Sequence, residues 1–441
     1  MPRAAGSRPW GFDVAAFTED GDDQRRARTG PPQKEAESTS DPASSAIPVS
    51  ADGAKSNGAA QTGASSENSV PFQPSQPHVS RWPSHGWNLD DVTPTYGALD
   101  LGTNNCRLLL AKPSRRGFRV VDAFSRIIRL GEGVSQTGML SNAAMDRTVD
   151  ALRVCASKLA RSGTNRVRCV ATEACRIAGN GTVFLDRVRH ELDLDIEVLS
   201  REAEAGLAVA GCSSLIDYRA DYALIFDIGG GSSELVWLDL RAASQADGRK
   251  EAGGGAADRT GGALTMAAWT SLPVGVVTLA ETFGGRMVTP VVFEAMVDHV
   301  ADLIAPFEAE HRFVEKTRNA DVHMLGTSGT VTTVAGIHLG LPRYDRSRVD
   351  GCWMHTRDVH DITYSLLDRS YEERVAEPCI GVDRADLVLA GCAILEAILR
   401  TWPCERLRVA DRGLREGILT TLMSEDGVFR AGRRRRSGRN G

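Results

Sequence analysis

The sequence predicts an α/β protein built from two domains of the same layout, one after the other in the chain. Near residue 96 a stretch rich in Pro, Ser, Gly and Ala gives way to short apolar runs and amphipathic segments. The order strand, strand, strand, helix, strand, helix then occurs twice, and each copy opens on an apolar strand that contains an aspartate near its end. Apolar strands that alternate with helical patterns are typical of a sheet covered by helices.

The first copy runs from about residue 96 to residue 211. Its predicted strands are 96–101, 105–112, 118–128, 166–171 and 195–199. Its predicted helices are 142–161, 181–191 and 202–211. Ser141 precedes the apolar periodicity of the longest helix, which makes it the expected N-cap.

The second copy repeats this order and adds further helices. Its predicted strands are 222–228, 233–240, 265–273, 321–326 and 406–409, and its predicted helices are 290–305, 329–339, 357–368, 384–400 and 413–424. Thr289 is the expected N-cap of the helix at 290–305, Pro290 suits its first position, and Pro306 is expected to end it.

Two copies of this layout predict two ribonuclease-H-like α/β domains, at 96–218 and 219–424, with a ligand cleft between them. The last helix is expected to pack back on the first domain. Residues 1–95 lack periodicity and are predicted to be a disordered extension, and 425–441 a basic disordered tail. Residues 241–262, rich in Gly, Ala and charge, are predicted to be a surface insertion in a hairpin.

Composition narrows the class of protein. The 441 residues are 42% hydrophobic and carry a net charge of -5, although six arginines lie in the last stretch of the chain. This acidic balance argues against a protein held to nucleic acid by bulk charge, and a polyanionic substrate would need a locally positive cleft. Nine cysteines at irregular spacing predict neither a disulfide framework nor a zinc site. With no signal peptide or membrane span predicted, we expect a cytoplasmic protein.

Two glycine-rich turns occupy the same step of the two copies. They are Asp100-Leu-Gly-Thr-Asn-Asn-Cys-Arg107 and Asp227-Ile-Gly-Gly-Gly-Ser-Ser-Glu234. Each places an acid at the end of a buried strand and then turns so that several backbone N–H groups can face one anion. The two aspartates are expected to hold Mg²⁺, directly or through water, because this ion prefers hard oxygen ligands. One such turn is weak support for phosphate binding, whereas two at equivalent positions are strong support.

Two further segments lie at helix starts. Gly326-Thr-Ser-Gly-Thr330 joins a strand to a helix, where free N–H groups and the helix dipole favour an anion. Ser200-Arg-Glu-Ala-Glu204 opens another helix. Hydrolysis needs a carboxylate to orient or deprotonate water, but Glu202 and Glu204 point to different helix faces. Acids also favour a first helical turn through the dipole alone, so the pattern leaves catalysis and capping open.

The chain resembles the exopolyphosphatase / guanosine pentaphosphate phosphatase family over about residues 96–422, and the resemblance rests on Asp100–Arg107, Ser200–Gly211, Asp227–Leu235 and Gly326–Thr333. The resemblance also includes Ala171-Thr-Glu-Ala-Cys-Arg176, with supporting matches at Arg129-Leu-Gly-Glu-Gly133, Ser271-Leu-Pro-Val-Gly275, Arg384-Ala-Asp386 and Asp411-Arg-Gly-Leu-Arg-Glu-Gly417. It implies the actin-like ATPase and sugar-kinase fold with an interdomain cleft. It also implies Mg²⁺-dependent release of orthophosphate from the end of inorganic polyphosphate or from guanosine pentaphosphate.

The resemblance assigns roles by motif position. Glu204 is expected to activate water, with Asp227 and Arg176 as further catalytic residues. Asp100, Asp227 and Glu234 are the expected metal residues. The expected phosphate-binding residues are Gly102, Thr103, Asn104, Asn105, Arg107, Gly229, Gly230, Gly231, Ser232, Ser233, Gly326, Ser328, Gly329 and Thr330.

The sequence departs from the family pattern at several points. Gly206 stands where an arginine is common after the catalytic glutamate, Ser233 where threonine is common, and Thr103 where serine is common. Long members carry a further helical domain after the core. This sequence has about 20 residues after the core, so we expect it to resemble the short, two-domain type.

Other functions stay open on the sequence. They are a preference for guanosine pentaphosphate, a kinase of the same fold, and a non-catalytic regulator that binds polyphosphate or a nucleotide. We expect no specific nucleic-acid partner and no membrane association, and a homodimer stays open.

Overall fold

The structure is a computed structural model that describes residues 93–114, 117–241 and 265–428. Residues 1–92 of the predicted extension and 429–441 of the predicted tail lie outside these ranges, as does nearly all of the predicted insertion at 241–262. The described residues form two sheets with helices packed on them.

The first half contains five strands and five α-helices among its described residues. The strands are β1 (Tyr96–Leu101), β2 (Asn105–Ser114), β3 (Gly117–Ile127), β4 (Arg166–Ala171) and β5 (Ile196–Val198). The helices are α1 (Val134–Thr137), α2 (Asn142–Arg161), α3 (Glu173–Ile177), α4 (Gly181–Leu192) and α5 (Arg201–Cys212).

The second half contains six strands and nine helices among its described residues. The strands are β6 (Tyr222–Ile228), β7 (Ser233–Asp239), β8 (Thr265–Leu272), β9 (Val322–Thr327), β10 (Trp353–His355) and β11 (Arg406–Ala410). The helices are α6 (Val276–Phe283), α7 (Pro290–His311), α8 (Phe313–Lys316), α9 (Gly329–His338), α10 (Arg346–Val349), α11 (Thr356–Leu367), α12 (Tyr371–Ala376), α13 (Val388–Thr401) and α14 (Leu414–Glu425).

The two sheets have the same core order. The first is β3-β2-β1-β4-β5, and the second is β10-β11-β9-β6-β7-β8, so β6, β7, β8, β9 and β11 repeat β1 to β5. In each, an antiparallel meander of three strands adjoins parallel strands. This repetition confirms the predicted α/β class, and β10 is an added antiparallel edge strand that the sequence did not indicate.

The last helix joins the halves. α14 packs its buried residues Leu414, Ile418, Leu419 and Leu422 against Leu207 of α5 and the first-half strands. The approach to α5 is close, because a Cβ on Gly417 would lie 2.0 Å from the carbonyl oxygen of Leu207. Overlap at that distance is not tolerated, so glycine permits this contact.

One local prediction was wrong. Pro306 does not end its helix, because α7 continues to His311. The carbonyl that loses its partner belongs to Asp302, on the same exposed side of the helix as Pro306, while Phe307 is buried and anchors the last turns. The segment Val276–Phe283, which begins with β-branched residues, forms a helix that the sequence did not predict.

The remaining structural predictions concern cysteines and membrane spans. All nine cysteines are free thiols, and seven of them are buried, as expected for small core residues. None of the helices in the described ranges is long and apolar enough to cross a membrane.

Candidate active site

The two glycine-rich turns have the same geometry. The N–H of Gly102 donates to the carbonyl of Asn105, and the N–H of Gly229 donates to the carbonyl of Ser232, each at 2.9 Å. Across the turn, Asp100 is the register partner of Arg107, and Asp227 is the register partner of Glu234. The two halves therefore bring matching turns to one place, but with an arginine on one side and a glutamate on the other.

The turns touch each other and a third loop. A Cβ on Gly230 would lie 3.0 Å from Cβ of Thr103, and a Cβ on Gly275 would lie 2.4 Å from the carbonyl carbon of Gly230. The N–H groups of Val276 and Val277 donate to the carbonyls of Gly229 and Gly230 at 3.0 and 2.9 Å. Close backbone packing thus fixes the second turn, and side chains at these glycines would displace it.

The third glycine-rich segment caps α9. Oγ of Ser328 accepts from the N–H groups of Thr330 and Val331 at 3.1 and 3.2 Å, which is an N-cap. Ser328 has φ 147°, in a region that L residues rarely adopt. Its neighbour Gly329 lines the cleft together with the turns.

Most of the predicted site residues line one cleft. Its empty volume is about 990 Å³, counting space open to solvent. The predicted residues along its wall are Asp100, Gly102, Thr103, Asn104, Asn105, Arg107, Glu204, Asp227, Gly229, Gly230, Gly231, Ser232, Glu234, Ser328, Gly329 and Thr330. Residues far apart in the chain thus form one surface.

Three predicted residues do not line this cleft. The hydroxyl of Ser233 is buried and donates to the carbonyl of Val274 at 2.8 Å, so it has no donor left for phosphate. Gly326 lies in the core, where a Cβ would be 2.6 Å from the ring of Phe226. Ser233 and Gly326 were predicted to contact phosphate, but in the structure they support the surrounding backbone and core instead. The third residue is Arg176.

Arg176 is occupied by protein partners. Its Nε and Nη2 donate to Oε2 of Glu173 at 2.8 and 2.6 Å, and its Nη1 donates to the carbonyl of Leu199 at 2.5 Å. Nη2 also donates to Oε2 of Glu204 at 3.0 Å. Arg176 was expected to be a catalytic residue, but its guanidinium faces protein acceptors and holds one carboxylate oxygen of Glu204.

The structure separates the two candidate glutamates. Glu204 lines the cleft with its side chain 14% exposed, whereas Glu202 is exposed on another face of α5. Arg176 holds Oε2 of Glu204, and Oε1 accepts no hydrogen bond from any described residue. One oxygen of Glu204 is thus fixed while the other is available to water.

Four carboxyl groups of the cleft have raised pKa values, mainly because they are buried. Burial, then the charge of Glu234, raises the pKa of Glu204 to about 8. Burial and the charge of Glu204 raise the pKa of Asp227 to about 7, and burial and Asp227 raise that of Glu234 to about 7. Burial also raises the pKa of Asp100, against the effect of Arg107. Burial and the repulsion among these carboxylates both disfavour their charged forms, and a bound cation would offset both effects.

The donor set fits a hard cation. Within the described ranges, Asp100 and Asp227 accept no side-chain hydrogen bonds, and the buried Oδ1 of Asn104 has no partner. Those ranges also contain no group of three His, Cys, Asp or Glu side chains arranged to hold a metal. Mg²⁺ commonly takes one or two carboxylates and keeps several waters, which matches separate acids better than an all-protein cage.

The side chains do not make the cleft positive, contrary to the expectation for a polyanion site. Five acids line it, whereas its basic residues are Arg107 and Arg384. The fifth acid, Glu173, is paired with Arg176 and Arg201. A phosphate in this cleft would be attracted by backbone N–H groups and by these two arginines, and a cation would add to that attraction.

Four polar residues on the wall were missed as site residues: Thr172, Glu173, Thr333 and Arg384. All four lie inside segments that carry the family resemblance, which was the available signal. Arg384 reaches the cleft from a loop before α13, with Nη1 3.5 Å from Oγ1 of Thr333.

Comparison with known proteins identifies a family and several relatives that this chain resembles. A family model described as the Ppx/GppA phosphatase family matches residues 110–426. A guanosine-5'-triphosphate,3'-diphosphate pyrophosphatase of Photobacterium profundum is 25% identical, over 76% of this chain and 60% of the relative. One of Vibrio vulnificus is 28% identical, with the same 76% and 60% coverage. The chain thus spans about 60% of the length of the curated relatives it matches.

Solved structures agree on the fold. The Aquifex aeolicus member of the Ppx/GppA family has a TM-score of 0.58 and 27% identity, covering 76% of this chain and 98% of that one. An exopolyphosphatase from Cytophaga hutchinsonii has a TM-score of 0.64 and 22% identity, covering 75% and 98%, and shows the fold alone. With its two repeated α/β halves of the actin-like ATPase type and a family match over most of its length, this chain belongs to the Ppx/GppA phosphatase family.

Proposed function

We propose that this protein hydrolyses the terminal phosphoanhydride bond of inorganic polyphosphate, with Mg²⁺ bound in the cleft and Glu204 as the residue that activates water. The observation that carries the proposal is the position of Glu204. It lies on the wall of a cleft formed by two glycine-rich turns and the capped start of α9, with one carboxylate oxygen held and the other available.

The residues divide the work of the reaction. The N–H groups of the turns around Gly102 and Gly230 are suited to hold the oxygens of the terminal phosphate. Glu204 orients a water molecule for in-line attack on phosphorus and accepts its proton. The bond from phosphorus to the bridging oxygen breaks, and the shortened chain leaves. Positioning and electrostatics supply most of the rate enhancement in such transfers.

Magnesium is part of this proposal. Asp227 and Glu234, register partners on β6 and β7, would hold it, with Asp100 facing them from the other turn. When bound, the ion screens the charge of the phosphate oxygens. Oε1 of Glu234 is held by the hydroxyls of Ser232 and Ser271 at 2.8 and 2.9 Å, so its orientation is fixed in advance.

A second candidate substrate is guanosine pentaphosphate. The curated relatives named above carry a name that describes the 5′-triphosphate, 3′-diphosphate of guanosine. The reaction at the terminal phosphate is the same for both substrates, and the cleft chemistry described here serves either one.

The test is orthophosphate release from polyphosphate and from guanosine pentaphosphate in parallel, with Mg²⁺ and with the ion removed by chelation. We expect release that needs Mg²⁺ and no acceptor, and the ratio of kcat/KM values identifies the preferred substrate. Transfer of the phosphoryl group to an added sugar or carboxylic acid acceptor, without orthophosphate release, would indicate a kinase of the same fold. Binding of either compound without release would indicate a regulator, and both results contradict the proposal.

A further inference from the structure

A second depression lies beside the catalytic cleft. It is bounded by the end of β3, the loop after it and α2 on one side, and by the loop before α13 on the other. Its charged residues are Arg126, Arg129, Arg147, Arg384, Glu132 and Asp383. Unlike the cleft, this surface therefore carries more basic than acidic side chains.

Its arginines differ in how far they are already engaged. Arg129 is paired with Asp386 at 2.9 Å, and Arg147 with Glu132 at 3.1 Å. Arg126 makes no ion pair with any described residue, and its guanidinium lies over the ring of Phe124 at 5.3 Å. Arg384 likewise forms no ion pair within the described ranges. The depression thus holds two guanidinium groups whose charge no carboxylate balances.

The depression adjoins the cleft. Asn105 and Arg384 line both, so they form the boundary that the two spaces share. When the terminal phosphate of a substrate lies at the glycine-rich turns, the rest of the substrate extends out of the cleft. The basic depression is the adjoining surface with the matching charge.

We propose that this depression binds the phosphate groups of the substrate that are distal to the bond being cleaved, with Arg126 as a contact residue. The inference rests on the proposed function, since it concerns the same substrate. The ligand is a phosphate group on an extended molecule, either further along a polyphosphate chain or the 3′-diphosphate of guanosine pentaphosphate. A guanidinium suits this role because its planar donors pair with phosphate oxygens.

The test compares Arg126→Gln with Arg119→Gln on two matched substrate pairs. Arg119 is an exposed arginine of the same strand that lies outside the depression, so its replacement makes the same change in net charge. The pairs are long-chain polyphosphate against tripolyphosphate, and guanosine pentaphosphate against GTP. In each pair, one member has the distal phosphates and the other lacks them.

Arg126→Gln is expected to raise KM about three- to tenfold for the extended member of at least one pair, with kcat retained and less than about a twofold change for the short member. The dependence of KM on salt should also weaken for the extended member. The pair that responds identifies the source of the distal phosphate. Equal effects of the two variants, or an equal rise for long and short members, would overturn the inference.

Failure of the proposed function gives a different result. It appears as no orthophosphate release by wild type from any of the four compounds. Calorimetric titration of the same compounds with Mg²⁺ then provides Kd values for the same comparison. Unchanged Kd values for the extended members in Arg126→Gln would overturn the inference independently of turnover.

Discussion

Nη2 of Arg176 lies 3.0 Å from Oε2 of Glu204, while the same guanidinium also binds Glu173 and the carbonyl of Leu199. Arg176 therefore connects α3, the end of β5 and α5 at one point. Its contacts fix one rotamer of Glu204, and its charge opposes the rise in the pKa of that carboxyl. We therefore propose that the arginine acts on the reaction through the glutamate.

Replacing Arg176 with Gln is expected to lower kcat about ten- to a hundredfold and to change KM less than about threefold. Because the positive charge lowers the pKa of Glu204, its loss should also move the acid limb of the pH–kcat profile to higher pH. Kinetics of phosphate release between pH 5 and 9 measure both effects. A large rise in KM with an unshifted profile would instead indicate direct contact with phosphate.

The ion pair between Arg129 and Asp386 joins the two halves beside the cleft. Nη1 of Arg129 donates to Oδ2 of Asp386 at 2.9 Å, and Nη2 donates to Oδ1 at 3.2 Å. The backbone of Arg129 has φ 48°. A double-mutant cycle with Arg129→Gln and Asp386→Asn is expected to give a coupling of about 1 kcal/mol in the free energy of unfolding. Additive effects of the two substitutions would show that the pair contributes nothing to holding the halves together.

Gly275→Ala should disturb the second glycine-rich turn. The added Cβ would lie 2.4 Å from the carbonyl carbon of Gly230, so the backbone of one loop must move. We expect a loss of about 2 kcal/mol or more in the free energy of unfolding and a rise in KM for phosphate substrates. Thermal unfolding and steady-state kinetics test this, and wild-type values for both would contradict the close packing described.

His323 makes stability depend on pH. It is 4% exposed, neither ring nitrogen makes a well-aligned hydrogen bond within the described ranges, and burial lowers its pKa to about 4 against smaller opposing effects of Asp217 and the Leu215 backbone. Asp217, Asp321 and Arg408 are the charged groups that influence it, and the ring of Trp353 lies at 5.1 Å. Between pH 6.5 and 4 the unfolded state binds a proton that the folded state does not, so stability falls as pH falls through this window.

The variant His323→Leu should therefore lose about 2–3 kcal/mol less free energy of unfolding than wild type between pH 7.5 and pH 4. Urea unfolding at both pH values measures the difference. The exposed His190 supplies the control His190→Leu, which should follow wild type. Parallel losses in all three proteins would show that His323 titrates as a solvated histidine.

The sequence was most informative where structure is set locally. The turns after Asp100 and Asp227 depend on glycine and on the ends of apolar strands, and both form as predicted. The repeated strand order followed from the spacing of apolar runs. Helix α6 escaped prediction because its β-branched start has low helix propensity and its eight residues give little periodicity.

Features set by packing between distant segments could not be predicted from pattern alone. Glu202 and Glu204 share a helical turn, and only the docking of α5 against the cleft decides which one faces it. Arg384 reaches the same wall from a segment 180 residues further along the chain. Ser233 was predicted to bind phosphate, but its hydroxyl donates a hydrogen bond to the carbonyl of Val274.

The most direct test of the account is orthophosphate release with Mg²⁺ by Glu204→Gln and Glu202→Gln. Both substitutions remove one carboxylate from the first turn of α5, but only Glu204 lines the cleft. We predict that Glu204→Gln lowers kcat by about a hundredfold or more, whereas Glu202→Gln stays within about twofold of wild type. Comparable activity of the two variants would contradict the assignment of water activation to Glu204.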